Sequence, residues 1–286
     1  MCASSAHKDF TRYRHRWEMP MIWLSFTLTL IGFLLAVVVV AGDSGQLTGA
    51  LGNDGAETAT DFADLLILLP LAPLAFYIYR FFMAATVRSQ SILVGPKQFP
   101  GLFATYQDIG QRLEMSYLPK LYVVNGNGVV NAFALECNRR YNYVVINAEI
   151  AMLLEKSPDI VEFVLAHELA HHKLRHVSLW RLVIGVIPSM LAIVGTTTTR
   201  AQEYSADRVA LAVCPQTSAA VRLLAVGPWI EQGVNPDAWL DQCDAEHREW
   251  WVRVTNALSS HAVMVKRFKA LRDIEREGFS AQGEMF

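Results

Sequence analysis

The chain has 286 residues, 52% of them hydrophobic, with 25 basic and 27 acidic side chains and a formal net charge of −2. It can bury a substantial core and has no basic excess, so no nucleic acid is expected as a partner. Its four cysteines, Cys2, Cys137, Cys214 and Cys243, are scattered without a C-x-x-C pair; that argues against a disulfide framework or a thiolate-bound metal and fits reduced thiols in a cytosolic setting.

From Met19 to Gly42 no residue is charged. A helix needs roughly 20 residues to cross about 30 Å of hydrocarbon, so this stretch predicts a membrane span, and it exceeds the core of about 7 to 15 residues of a cleaved signal peptide. A second apolar run covers Leu65 to Tyr79 and continues past Arg80 to Met83, with Arg80 expected to snorkel toward head groups and Pro70 and Pro73 to kink the helix. The segment between carries Asp43, Asp54, Glu57 and Asp61 but no lysine or arginine, whereas Lys8, Arg12, Arg14 and Arg16 precede the first run and Arg88 and Lys97 follow the second. The positive-inside rule then puts both ends in the cytosol. The expected organisation is a cytosolic tail over 1–18, a transmembrane helical hairpin over 19–85 with an extracytoplasmic loop at 43–61, and a cytosolic domain over 86–286. That describes a multi-pass protein of the inner (plasma) membrane, with the lipid bilayer as a partner.

Leu102, Phe103, Tyr106, Ile109 and Leu113 fall at helical spacing and predict a helix over 99–117, with Pro100 in its first turn. Three strand-like runs follow, "KLYVV", "VVNAFALE" and "YNYVVIN", separated by the turns "NGNG" and "CNRRYN", so a small sheet with hairpins is expected. The next helix opens with Ser157 as N-cap, Pro158 at the first helical position and Asp159 beside the positive end of the dipole. Ile160, Val161, Val164, Leu165 and Leu169 supply its apolar stripe. No internal repeat is present.

That helix carries "HELAHHKLRH". His167 and His171, four residues apart, share a face and can hold one ion, while Glu168 sits one step around and can reach a water on it. A bare H-E-x-x-H is also compatible with a polar helix stripe. The third ligand that a zinc site needs is offered by "TRAQEYSADRVALA", in which Thr199 and Gln202 have capping-box spacing and start a helix just before Glu203. Glu203 and Asp207 lie one turn apart, so Glu203 can bind metal while Asp207 accepts a hydrogen bond from a ligand imidazole; the competing reading is a solvated acidic pair. One Zn2+ per chain is the expected cofactor. At about 100° per residue His176 faces away from the line through His167 and His171, and a surface or interhelical role is expected for it and for His172.

Together "HELAHHKLRH", "RAQEYSAD", "NGNGVVNAFA" and "SSHAVMVKRFKAL" resemble the HtpX-like membrane zinc metallopeptidases, relatives of the CAAX prenyl endopeptidases. The resemblance implies an α+β fold, in which the transmembrane hairpin precedes a mostly helical zincin-type domain with a small β-sheet. It implies His167, His171 and Glu203 as zinc ligands and Glu168 as catalytic base. It also implies that Asn131, Ala132, Phe133 and Ala134 form a substrate-pairing strand along the cleft. A histidine followed six positions later by arginine is matched by His261 and Arg267; His261 is a candidate oxyanion stabiliser, although Ala262 stands where the family has proline. Many relatives have a second membrane hairpin after HExxH, whereas here only Leu182 to Val194 is apolar, about 20 Å as helix. One crossing there would put His171 and Glu203 on opposite sides of the bilayer, so the segment is expected to pack on the domain or dip shallowly, with Trp180 and Arg181 near the interface.

The expected function is a membrane-anchored zinc endopeptidase acting on polypeptide substrates, membrane proteins among them, in protein quality control. The alternatives are a CAAX-type prenyl-peptide endoprotease and a non-enzymatic zinc-stabilised adaptor.

Overall fold

The computed structural model describes residues 8–42, 44–68, 71–138 and 141–286. Cys2, Asp43, Pro70 and the centre of the "CNRRYN" turn lie outside the described residues.

Helix α1, Glu18–Ala41, is 24 residues long, and among the described helices it alone is long and apolar enough to cross a membrane. Trp23, Leu30, Leu35 and Val38 are all exposed on it. Residues 44–61, expected as a loop, are helical: they belong to α2, Ser44–Ile67, which is broken at Gly52, whose φ of 74° favours a residue without a Cβ. Helix α3, Ala72–Gln90, starts with Pro73 in its first turn, where proline does not kink the helix. Of the expected hairpin, one helix long and apolar enough to cross a membrane is shown, and the hairpin itself is not. Arg80 does not snorkel; it is buried and donates to the main-chain oxygens of Glu136 and Val177, so the second half of α3 packs on the protein. Ala84 and Val87 of α3 meet Tyr122, Tyr143 and Val145 there.

After β1, Ile92–Leu93, helix α4 covers Pro100–Arg112. It stops short of Tyr117 because Glu114 takes φ 49° and Met115 N–H donates to Gly110 O at 3.0 Å, a Schellman ending. Strands β2, Lys120–Val124, β3, Ala132–Asn138, and β4, Tyr141–Asn147, then build a sheet in the order β1-β2-β4-β3. The "NGNG" turn is not a hairpin. β2 pairs with β4 in parallel, and β3 pairs antiparallel with β4 alone, which leaves β3 at the edge.

A short helix α5, Ala148–Ala151, leads to α6, Pro158–Lys173. Ser157 precedes α6 without a side-chain cap bond, its hydroxyl donating instead to Glu231 Oε1 at 2.8 Å. Ile160, Val161, Leu165 and Leu169 are fully buried, each contributing on the order of 1.5–3 kcal/mol. Helices α7, Leu179–Ile184, and α8, Val186–Met190, are followed by α9, Ala192–Val213. Thr199 is therefore inside α9, its hydroxyl bonded back to Gly195 O, and does not cap it. The segment 182–194 packs along α1: Thr29 Oγ1 donates to Ile184 O at 2.8 Å, and Ile187 packs with Ala36 and Ala63. Helices α10, Arg222–Val226, α11, Pro236–Glu246, α12, Trp250–Leu258, and α13, Met264–Glu277, complete the chain. The main core joins α4, α6, α9 and α13 to one face of the sheet.

The described part of the expected tail, residues 8–18, packs against this domain. Phe10 is buried, His15 N–H donates to Ser205 Oγ at 2.8 Å, and Arg208 Nε donates to Tyr13 O at 2.8 Å.

Candidate metal centre

Four elements converge on one spot. Helix α6 presents His167 and His171 from successive turns, and their Nε2 atoms lie 3.1 Å apart. Helix α9 brings Glu203, with Oε2 3.4 Å from His167 Nε2 and Oε1 3.5 Å from His171 Nε2. A ligand atom from each of the three residues lies within 4.8 Å of the others. Tetrahedral zinc bound at about 2.0–2.1 Å needs ligand atoms about 3.3 Å apart, so this donor set of two imidazoles and one carboxylate fits the ion.

Around the three, the polar groups are paired. Asp207, one turn after Glu203, puts Oδ1 2.8 Å from His167 Nδ1, and Arg267 of α13 donates to both Asp207 oxygens. Burial opposes the charge on Asp207, but Arg267 and His167 outweigh it and hold the carboxyl below its usual range. Burial likewise pushes His167 down, and the Asp207 and Glu203 carboxylates overcome this, bringing it up to about 10. Such a site attracts positive charge. Glu168 is raised to about 7, chiefly by burial, with the charge of His167 working against it.

Asn131, Ala132, His167, Glu168, Glu203 and His261 line a common cavity of about 250 Å³, whose remaining wall is largely apolar, including Ile150 and Phe163. Phe133 and Ala134 lie further along β3 and do not line it. His261 sits in the loop between α12 and α13, its Nδ1 3.1 Å from Glu203 Oε2 and its side chain mostly exposed. Its imidazole thus pairs with the carboxylate of the metal set. Fully buried Arg200 fixes the loop by donating to Ala257 O at 2.9 Å and Ser259 O at 2.7 Å.

Three expectations are corrected. His172 is not at the surface; its Nε2 donates to Tyr143 O at 3.0 Å and ties α6 to β4. His176 has the interhelical role, joining His171 of α6 to Glu18 of α1, but it does not face away from the site, since α6 ends at Lys173 and the angular count stops there; its Nδ1 lies 3.0 Å from His171 Nδ1. Arg181 is buried rather than interfacial and donates to Glu18 Oε1 at 3.0 Å. Sequence reasoning missed Glu18, although its position as the acid that opens α1 was the available signal.

Residues 96–194 match the model of peptidase family M48. That match supports a metallopeptidase function; it contains the whole of α6 and ends before Glu203 and Asp207, which the fold itself brings to the histidines. Neither a curated protein nor a solved structure matches the chain.

Proposed function

We propose that the chain is an HtpX-like zinc endopeptidase anchored in a membrane, with Glu168 as its catalytic base. The observation that carries this reading is the convergence of His167, His171 and Glu203 beside buried Glu168 in one cavity. Zinc held by those three residues supplies Lewis acidity toward a peptide carbonyl and acidifies water. Glu168, buried beside the three ligands in the same cavity, takes the proton of the attacking water and delivers it to the leaving amine. Asp207 and Arg267 keep the His167 ring in the tautomer that leaves Nε2 free. His261, at the cavity mouth, donates to the oxygen that becomes negative once its bond to Glu203 is released.

Substrate is an extended polypeptide that adds to β3 as a further strand. Asn147 N–H donates to Asn131 O at 3.0 Å, and the alternation of antiparallel pairing then directs the main-chain groups of Ala132 and Ala134 to the free edge. The membrane reading adds a return leg to α1: Leu68, Leu71, Leu74 and Ile78 are exposed, forming an apolar surface suited to lipid. With both termini of this hairpin on the cytosolic side, membrane proteins undergoing quality control are the natural substrate class. Casein cleavage by the detergent-solubilised chain tests the reading. Cleavage abolished by a chelator and restored by zinc is expected; zinc-loaded protein that binds casein without cleaving it points instead to an adaptor.

A further inference from the structure

We infer that His176 and Glu18 form a relay that orients His171 as a metal ligand and ties the metal centre to the first turn of the apolar helix α1. The inference rests on the metal-site reading above and adds two residues that it does not use.

The relay begins with how α6 ends. Arg175 takes φ 60°, Arg175 N–H donates to His172 O at 3.0 Å, and His176 N–H donates to His171 O at 2.8 Å. These are the two bonds of a Schellman motif, which brings the residue after the left-handed position back over the last turn of the helix. The side-chain contact that accompanies the motif is usually apolar. Here it joins two imidazoles, with ring centroids 5.0 Å apart.

The tautomers then follow in order. His171 directs Nε2 toward His167 and Glu203, so a cation takes that atom and the ring proton resides on Nδ1. Nδ1–H donates to His176 Nδ1 at 3.0 Å, which leaves the His176 proton on Nε2. That proton is donated to Glu18 Oε1 at 3.2 Å. Glu18 is fully buried, and its carboxylate also receives Arg181 at 3.0 Å and the guanidinium of Arg14. Arg14 and Arg181 are fixed in turn by bonds to Leu174 O at the end of α6.

The two ligand imidazoles are therefore backed in parallel ways. His167 is held by Asp207 and Arg267; His171 is held, through one more imidazole, by Glu18 and two arginines. A buried cluster of this kind stabilises a fold little better than apolar side chains of similar volume, whereas orienting a ligand imidazole improves metal affinity by about 10- to 100-fold. That disparity favours a positioning role.

The test uses the full chain in detergent micelles, with zinc affinity read by competition against a chromophoric chelator and ligand geometry by the visible spectrum of the cobalt(II)-substituted protein. His176→Phe is expected to weaken zinc about 10- to 100-fold and to alter the cobalt spectrum, with the zinc-free melting temperature unchanged. His176→Gln, whose amide oxygen can accept the His171 proton, should recover affinity to within about threefold, and Glu18→Gln should weaken it about tenfold. A parental zinc affinity and cobalt spectrum in His176→Phe, or no recovery in His176→Gln, overturns the relay. If His176→Phe does not fold, Glu18→Gln decides: weakened zinc binding with an altered cobalt spectrum in the folded variant supports the relay, and parental affinity and spectrum overturn it. Parental protein that takes up no zinc removes the metal-site reading itself, an outcome distinct from a relay that fails at a working site.

Discussion

Arg267 grips Asp207 through two parallel hydrogen bonds, Nε to Oδ2 and Nη2 to Oδ1, each 2.6 Å long. The pair is buried, and its outer oxygen reaches His167 Nδ1 at 2.8 Å. Lysine cannot reproduce this fork. Arg267→Lys should therefore weaken zinc binding about tenfold and lower the melting temperature. Chelator competition checks this, and parental affinity in that variant removes Arg267 from the support of His167.

The free edge of β3 predicts a second effect. Proline at Ala134 removes an N–H that points away from β4, so the sheet should survive while substrate pairing is lost. Peptide cleavage is expected to fall at least about tenfold, with zinc content and melting temperature close to parental. Parental cleavage by a folded Ala134→Pro variant means that substrate does not lie along this strand.

These sites differ in how far the sequence discloses them. His167, His171, Glu203 and Asp207 were legible because one-turn spacing on a helix fixes a shared face whatever the helix packs against. The capping-box reading of Thr199 failed because α9 begins at Ala192, and local cap signals do not reveal that a helix has already started. His176 was misplaced because the angular count assumes helix beyond Lys173, while Arg175 turns left-handed there. The edge position of β3 depends on β4 entering the sheet parallel to β2, a long-range pairing that no turn motif encodes. Arg80 and Arg181, read as interfacial, are instead consumed by main-chain oxygens and Glu18.

Acid should destabilise the chain through His15. Its Nε2–H donates to Gly283 O at 2.9 Å and its Nδ1 accepts from Trp17 N–H at 3.3 Å, so the neutral ring is fully bonded. Burial brings it from the usual 6.5 down to about 4, with the charges of Arg208 and Arg16 adding to the fall against the bond to Gly283. Between those two values the unfolded chain binds a proton that the native chain does not. Stability is thus full above pH 6.5 and declines toward pH 4, by about 3 kcal/mol in all. His15→Gln should flatten the decline of melting temperature over this window; an unchanged slope would show that His15 is not its source.

Orientation can be read by labelling. Asp54→Cys in α2 should react with a membrane-impermeant thiol reagent applied outside intact cells, and Asp241→Cys in α11 should react only after the cells are opened. The described native cysteines, Cys137, Cys214 and Cys243, are buried and give little background. Outside labelling of both positions contradicts the proposed topology.

The most direct test of the central claim, that His167, His171 and Glu203 hold the zinc and Glu168 performs proton transfer, is elemental analysis paired with turnover on the same purified samples. The account predicts about one zinc per chain in the parental protein and in Glu168→Gln, a small fraction of that in Glu203→Ala, and cleavage in the parental protein alone. Full zinc occupancy in Glu203→Ala, or undiminished cleavage by Glu168→Gln, would contradict it.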